Sequence, residues 1–235
     1  MRQYFNQRSL AYALNHPLIA IRSLRIAVAK PDAESIASLT TVEKGKVESY
    51  LRESQGNKEL SWVFTNSVGA KTSSGMPRHA LDSIYALVRA LRPQCVVETG
   101  VSAGRSSTFI LEALRVNEFG SLFSIDVPYG PEEVGCMIPK HLQDRWHLFL
   151  GSSEELLPNL LIKLAQVDMF LHDSEHSFEN MSFEFGVARK HVREGGLILS
   201  HNVQRNMAFK ELCISLGKNP TFVCKGDKNL GIVQI

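Results

Sequence analysis

Val96-Val97-Glu98-Thr99-Gly100-Val101-Ser102-Ala103-Gly104-Arg105-Ser106-Ser107 is the stretch that decides the fold. An apolar run ends in an acidic residue, a turn of small residues follows, and a helix then begins. In an α/β protein, the carboxyl end of a strand is where a nucleotide-like ligand binds. Gly100 can take a positive φ and Gly104 can let backbone come close to a ligand, while Ser102 and Ala103 add little bulk. Glu98 narrows the choice of ligand. A carboxylate at the strand tip repels a pyrophosphate but accepts hydrogen bonds from an ammonium or a hydroxyl group. The loop therefore favours a cationic or sugar-bearing cofactor over a dinucleotide.

Outward from this stretch, strands and helices alternate. Ala80, Ile84, Leu87, Val88 and Leu91 form an apolar stripe at helical spacing that stops before Pro93. Cys95 to Glu98 reads as a buried strand, and Ser106 to Val116 as the helix after it. Ser121 to Ile125 is a second strand ending at Asp126, and Trp146 to Leu150 a third ending at Gly151-Ser152-Ser153. Glu154 to Leu164 reads as one helix or as two short turns about Pro158. Val167 to Leu171 is a fourth strand, leading into His172-Asp173-Ser174-Glu175-His176. Phe178 to Val192 is an amphipathic helix, and Leu197 to Ser200 a fifth strand ending at His201-Asn202. After a helix at about 204–216, Thr221 to Lys225 and Gly231 to Ile235 flank Gly226-Asp227-Lys228-Asn229 as a hairpin.

The expected architecture is α/β: a doubly wound, seven-stranded, mostly parallel sheet with an antiparallel last strand, over residues 77–235. Residues 1–76 form an N-terminal extension with helices near 16–29 and 41–53. Its Ser67 to Gly75 run, containing Lys71, could fold over the cleft as a lid.

With 235 residues and 44% hydrophobic content, the chain can bury a full core without splitting. Net charge is +2, and the basic arm of Arg2, Arg8, Arg22, Arg25 and Lys30 reads as ordinary solvated charge before it reads as a contact for an anionic surface or partner. No basic stripe with interleaved aromatics points to nucleic acid as a partner. Leu18 to Val28 is broken by Arg22 and Arg25, so it is neither a signal-peptide core nor a membrane span. Cys95, Cys136, Cys213 and Cys224 include no C-x-x-C pair, which fits free thiols in a reducing cytoplasm. The apolar N-terminal region could cover its own sheet edge or that of a second copy, leaving a homodimer open.

Polar residues gather at the strand exits: Glu98, Asp126, Ser152, Asp173 and His201 each follow a short hydrophobic run. In a doubly wound sheet these exits share one edge, so residues far apart in sequence converge on one cleft. Asp126, 26 residues after Gly100, is the candidate ribose clamp, because one carboxylate can accept from two vicinal hydroxyls. Ser152 and Ser153 could meet an adenine edge or cap the helix starting at Glu154.

Together, Glu98 to Gly104, Ile125-Asp126, and Gly151-Ser152-Ser153-Glu154-Glu155-Leu156-Leu157-Pro158 resemble a class I S-adenosylmethionine-dependent methyltransferase. The closing pair of strands is similar to that fold's reversed last strand. Within the superfamily the chain most resembles small-molecule O-methyltransferases, including those acting on sugars of macrolides and related natural products. The resemblance implies that Glu98, Gly100, Ser102 and Gly104 surround the methionine portion. It also implies that Asp126 holds the ribose and that Ser152 and Ser153 lie by the adenine. Ser102 stands where the family more often has glycine.

Methyl transfer to a hydroxyl is an in-line displacement, in which the protein aligns the reactants and deals with the acceptor proton. Asp173 and His176 sit three residues apart at the mouth of the fourth strand, and His176 has an ordinary pKa suited to a general base. His172 points to the opposite side of the strand by alternation. Some resembling O-methyltransferases hold a divalent cation between an acid after strand four and an acidic pair after strand five. The matching positions here are Asp173, His201 and Asn202, only one of them a carboxylate. Mg²⁺ should therefore bind more weakly, while Asp173, His176 and His201 suit Mn²⁺, Fe²⁺ or Zn²⁺. His201 could instead orient the acceptor, with no metal involved. The expected acceptor is a small molecule or sugar. A nicotinamide-dependent oxidoreductase and a non-catalytic binding protein on the same fold are the alternatives; the first lacks a full G-x-G-x-x-G loop.

Overall fold

A computed structural model describes residues 29–66, 75–128 and 133–235. The expected helix near 16–29, the four arginines of the basic arm and all of the 67–75 lid except Gly75 lie essentially outside the described residues.

Seven strands build one sheet: β1 (Cys95–Thr99), β2 (Ser121–Asp126), β3 (Trp146–Leu150), β4 (Val167–His172), β5 (Val192–Ser200), β6 (Thr221–Phe222) and β7 (Gly231–Gln234). Their spatial order is β3-β2-β1-β4-β5-β7-β6. The first five run parallel, and β7 lies antiparallel to both β5 and β6. A parallel sheet covered on both faces needs nearly unbroken apolar strands, and all five residues of β1 are buried. Successive side chains feed two cores. Val96, Leu122, Met169, Leu171, Leu197 and Leu199 face one, and Val97, Ile125, Phe170, Ile198 and Val233 the other.

Helices α1 (Ala33–Thr40), α2 (Lys44–Gly56) and α3 (Lys58–Asn66) precede α4 (Arg78–Leu91) and α5 (Arg105–Asn117). Ile36, Val47, Leu51 and Leu60 of the early helices join the first core beside α4, so 33–66 packs onto the sheet domain. The second core is covered by α6 (Ser153–Leu164), α7 (Phe178–Ala188) and α8 (Ala208–Ser215). No described helix is long and apolar enough to cross a membrane.

One open alternative is decided and two local expectations change. Around Pro158 there is one continuous helix, because the bond proline forfeits would go to the carbonyl of Glu154 on an exposed turn, which solvent can reach. The Phe178 helix stops at Ala188 and β5 starts at Val192, with Gly195-Gly196 inside the strand. The closing hairpin is shorter: only Thr221 and Phe222 pair with β7, while Cys224–Lys225 pairs with Lys30–Pro31. Val223 causes the divergence. It is fully buried in the first core, so the chain turns inward there and leaves the sheet.

Strand order reverses between β1 and β4, and register keeps the exits level: Thr99 opposes both Ile125 and His172, Asp126 opposes Leu150, and His172 opposes Ser200. That reversal is where an open α/β sheet leaves a crevice.

Candidate functional site

A cavity of about 440 Å³ opens at this crevice, bordered by Gly100 to Ala103 and Arg105 but not by Gly104, by Asp126, by Ser152 and Ser153, and by Asp173, Ser174 and Asn180. Gly100 has φ +86°, and a Cβ there would collide with the Asp173 carbonyl group and the Ser174 amide. Its missing side chain lets the loop after β4 close against the turn after β1. Gly104, at φ +94°, is likewise packed on Ile138. Ser102 takes the left-handed region at φ +52°, the conformation that a glycine there would adopt without strain.

Asp126 determines the shape of this turn. Its Oδ2 accepts from the backbone N–H of Val101 at 2.7 Å and of Ser102 at 2.6 Å, and its Oδ1 accepts from Val127 at 2.7 Å. Carboxylate oxygens have further lone-pair capacity, and Asp126 borders the cavity, so it can also face a diol. Ser152 caps α6, its Oγ accepting from Glu155 N–H at 3.2 Å, and also borders the cavity. Ser153 does so beside it, donating to Asn180 Oδ1 at 3.3 Å.

Glu98 does not border the cavity. It is fully buried, accepting from the hydroxyls of Ser107 and Ser124 on one oxygen and Ser106 on the other. Burial pushes its carboxyl up to about 7, against the pull of those three hydroxyls. Expected around the methionine portion, it instead ties β1 and β2 to the first turn of α5, because its position in β1 turns it toward that helix.

Asp173, His176 and His201 come together, with one potential ligand atom from each lying within 4.8 Å of the others. Asp173 Oδ1 is 2.9 Å from His201 Nδ1 and 3.6 Å from His176 Nε2. Only Asp173 of the three borders the cavity; the imidazoles stand behind it. His176 Nε2 is buried with no hydrogen-bond partner. Burial holds the His176 imidazole below its ordinary value, with Asp173 pulling the other way. Asn202, expected beside His201, sits in a left-handed turn with its amide oxygen accepting from Asn229 at 3.2 Å. Of the two sets the sequence offers, the structure thus gathers the one with a single carboxylate and two imidazoles, Asp173, His176 and His201, and leaves Asn202 out of it.

Arg105 and Ser106 were not singled out by sequence reasoning, although they directly follow Gly104. Arg105 is the one cationic side chain among the described residues bordering the cavity, against Asp126, Glu154, Asp173 and Glu175. Its guanidinium lies 5.3 Å from the Phe64 ring centroid and donates to Met76 O at 3.3 Å.

Residues 97–203 match a family model described as a methyltransferase domain. No curated protein sequence matches the chain significantly. Several solved structures share its fold. The apo structure of CalS11, a TDP-rhamnose 3'-O-methyltransferase of calicheamicin biosynthesis, is 13% identical with a TM-score of 0.56, over 82% of this chain and 93% of that one. The O-methyltransferase from Bacillus cereus in complex with SAH is 17% identical with a TM-score of 0.55, over 79% and 97%. The SAH-bound Podospora anserina methyltransferase PaMTH1 is 14% identical with a TM-score of 0.53, over 100% and 98%. At these identities the likeness is one of fold.

Proposed function

We propose, from the premise that residues 97–203 form a methyltransferase domain, that the protein transfers the methyl group of S-adenosylmethionine to a hydroxyl of a small molecule or sugar. The charge pattern of the cavity carries this reading: among the described residues, four carboxylates and one guanidinium border it. S-adenosylmethionine brings a sulfonium, an ammonium, one carboxylate and a ribose diol, which that pattern complements. The pyrophosphate of a dinucleotide would meet four like charges, which disfavours the oxidoreductase alternative.

Asp126 is assigned to the ribose hydroxyls, Ser152 and Ser153 to the adenine edge, and Gly100, Ser102 and Gly104 to the turn that shapes the methionine pocket. Arg105 and the N-terminus of α5 suit the cofactor's carboxylate. Asp173 meets the acceptor hydroxyl first, and His176 and His201 behind it can take up or redistribute the proton. Alignment at the cavity mouth supplies much of the remaining rate enhancement.

The trio also fits a divalent cation. The unpartnered His176 Nε2 and the two contacts of Asp173 Oδ1 put one oxygen and two nitrogens at spacings that a single ion can bridge. That donor set suits Mn²⁺, Fe²⁺ or Zn²⁺ better than Mg²⁺. A bound ion would lower the pKa of the acceptor hydroxyl. All four cysteines are free, in keeping with a cytoplasmic setting.

Calorimetric titration of metal-stripped protein with S-adenosylmethionine tests the assignment, with saturable binding at one site per chain expected. No heat from folded protein would overturn it. Transfer of a labelled methyl group to a panel of free and nucleotide-linked sugars and phenols would then identify the acceptor class.

A further inference from the structure

Beneath the site lies a buried carboxylate that none of the assignments above uses. Glu184, on α7, is fully buried and accepts four hydrogen bonds. Thr99 Oγ1 and His172 Nδ1 reach Oε2 at 2.5 and 2.7 Å, and Ser174 Oγ and Asn180 Nδ2 reach Oε1 at 2.7 and 3.1 Å. The two oxygens serve different ends. Oε2 holds the ends of β1 and β4, while Oε1 holds the loop that carries Asp173 and His176.

That loop is pinned at every residue. Asp173 N–H donates to Thr99 O at 2.9 Å, and Ser174 is held by Glu184. Glu175 O accepts from Asn180 Nδ2 at 3.0 Å, His176 O accepts from Asn206 Nδ2 at 3.1 Å, and Ser177 Oγ caps α7 through Asn180 N–H at 3.2 Å. Within it, His176 Nδ1 hydrogen-bonds the backbone carbonyl of Ser174. A carbonyl only accepts, so Nδ1 carries a proton, and in the neutral ring that burial favours the lone pair is on Nε2, the nitrogen near Asp173.

We propose that Glu184 is a positioning residue that selects the imidazole tautomer of His176 by fixing Ser174. Were Ser174 to turn, its carbonyl would leave Nδ1, and the proton could move to Nε2. Nε2 would then no longer be able to accept a proton or bind a cation. Glu184 would thus work through hydrogen bonds to Ser174 and Asn180, without touching substrate or cofactor. The proposal rests on the reading that His176 acts in methyl transfer, but its test does not.

Long-range proton–nitrogen correlation spectra of metal-stripped, acceptor-free protein labelled with ¹⁵N-histidine would read the tautomer directly. The His176 signals would be assigned by their loss in His176→Gln. Wild type should show one tautomer, protonated at Nδ1. Ser174→Ala and Glu184→Ala should lose that single-tautomer signature and show exchange between both forms. Glu184→Gln should retain it, because a glutamine carbonyl can still accept from Ser174 and Asn180. Thr99→Val, which removes a donor from the other carboxylate oxygen, should also retain it.

Folded Ser174→Ala protein with a wild-type His176 spectrum would overturn the proposal, and that variant decides the matter if Glu184→Ala does not fold. A Thr99→Val protein that disturbs His176 as strongly as Ser174→Ala would also overturn it, reducing Glu184 to general packing. Methyl transfer persisting in His176→Ala would instead remove the catalytic reading while leaving the tautomer result intact.

Discussion

Replacing Glu98 with glutamine should stabilise the protein at alkaline pH and leave it nearly unchanged in acid. The carboxyl is raised from its ordinary 4.5 to about 7 because burial outweighs the three hydroxyls bound to it. A carboxyl with a higher pKa folded than unfolded holds more protons in the folded state between those values. Its contribution is therefore complete below 4.5 and is lost as pH rises through about 7. At about 1.4 kcal/mol for each pH unit of that window, the loss comes to roughly 3 kcal/mol. Glutamine does not titrate, yet its carbonyl can accept from Ser124 while its NH₂ donates to Ser106. Urea unfolding of both proteins across a pH series gives the difference. Trp146 is a convenient fluorophore, since its indole N–H donates to the Ser124 hydroxyl at 2.9 Å. The variant should match wild type in acid and lead by roughly 3 kcal/mol at alkaline pH. A difference that stays flat, or one that turns toward wild type as pH rises, would refute the reasoning.

Gly100→Ala combines a left-handed φ with a Cβ driven into the Asp173–Ser174 backbone, and should cost about 2 kcal/mol or more by denaturant unfolding. Asp126→Ala removes both the assigned diol partner and the acceptor of three backbone N–H groups. Calorimetry should show S-adenosylmethionine affinity falling about tenfold to a hundredfold, as expected for charge-assisted hydrogen bonds. His201→Ala should weaken Mn²⁺ binding roughly tenfold or more while leaving cofactor affinity unchanged, read by calorimetry with the metal alone.

The sheet was legible because Val96-Val97, Phe170-Leu171 and Ile198-Leu199 are short apolar runs closed by polar residues, and such runs have few other uses. Parallel pairing then put Asp126, Ser152 and Asp173 on one edge whatever the helix boundaries. Residues whose role depends on side-chain direction were less legible. Glu98 looks like a cofactor contact in sequence because it ends an apolar run. Only the placement of Ser106, Ser107 and Ser124 shows that its oxygens are already occupied. Val223 reads as part of a strand, yet its burial in the first core breaks the hairpin. Glu184 lies inside a helix among apolar neighbours, and nothing in its local pattern marks it as the meeting point of β1, β4 and the loop after β4. Arg105 had a usable signal, a cation one residue past the glycine turn.

The position of β7 also governs how the molecule opens. It lies between β5 and β6, so among the described residues Thr221 and Phe222 have no other strand in the large sheet to pair with. Any fluctuation that lifts Gly231–Gln234 away must release them as well, and the Cys224–Lys225 ladder with Lys30–Pro31 lies on the stretch of chain between. Backbone amides across 221–234 should therefore exchange with deuterium as one cooperative unit, at a lower free energy than the amides of β1 and β4. Strain or mutation anywhere in that unit would be felt at Asp32, whose N–H is bonded to Val223 O, before it reached the cleft.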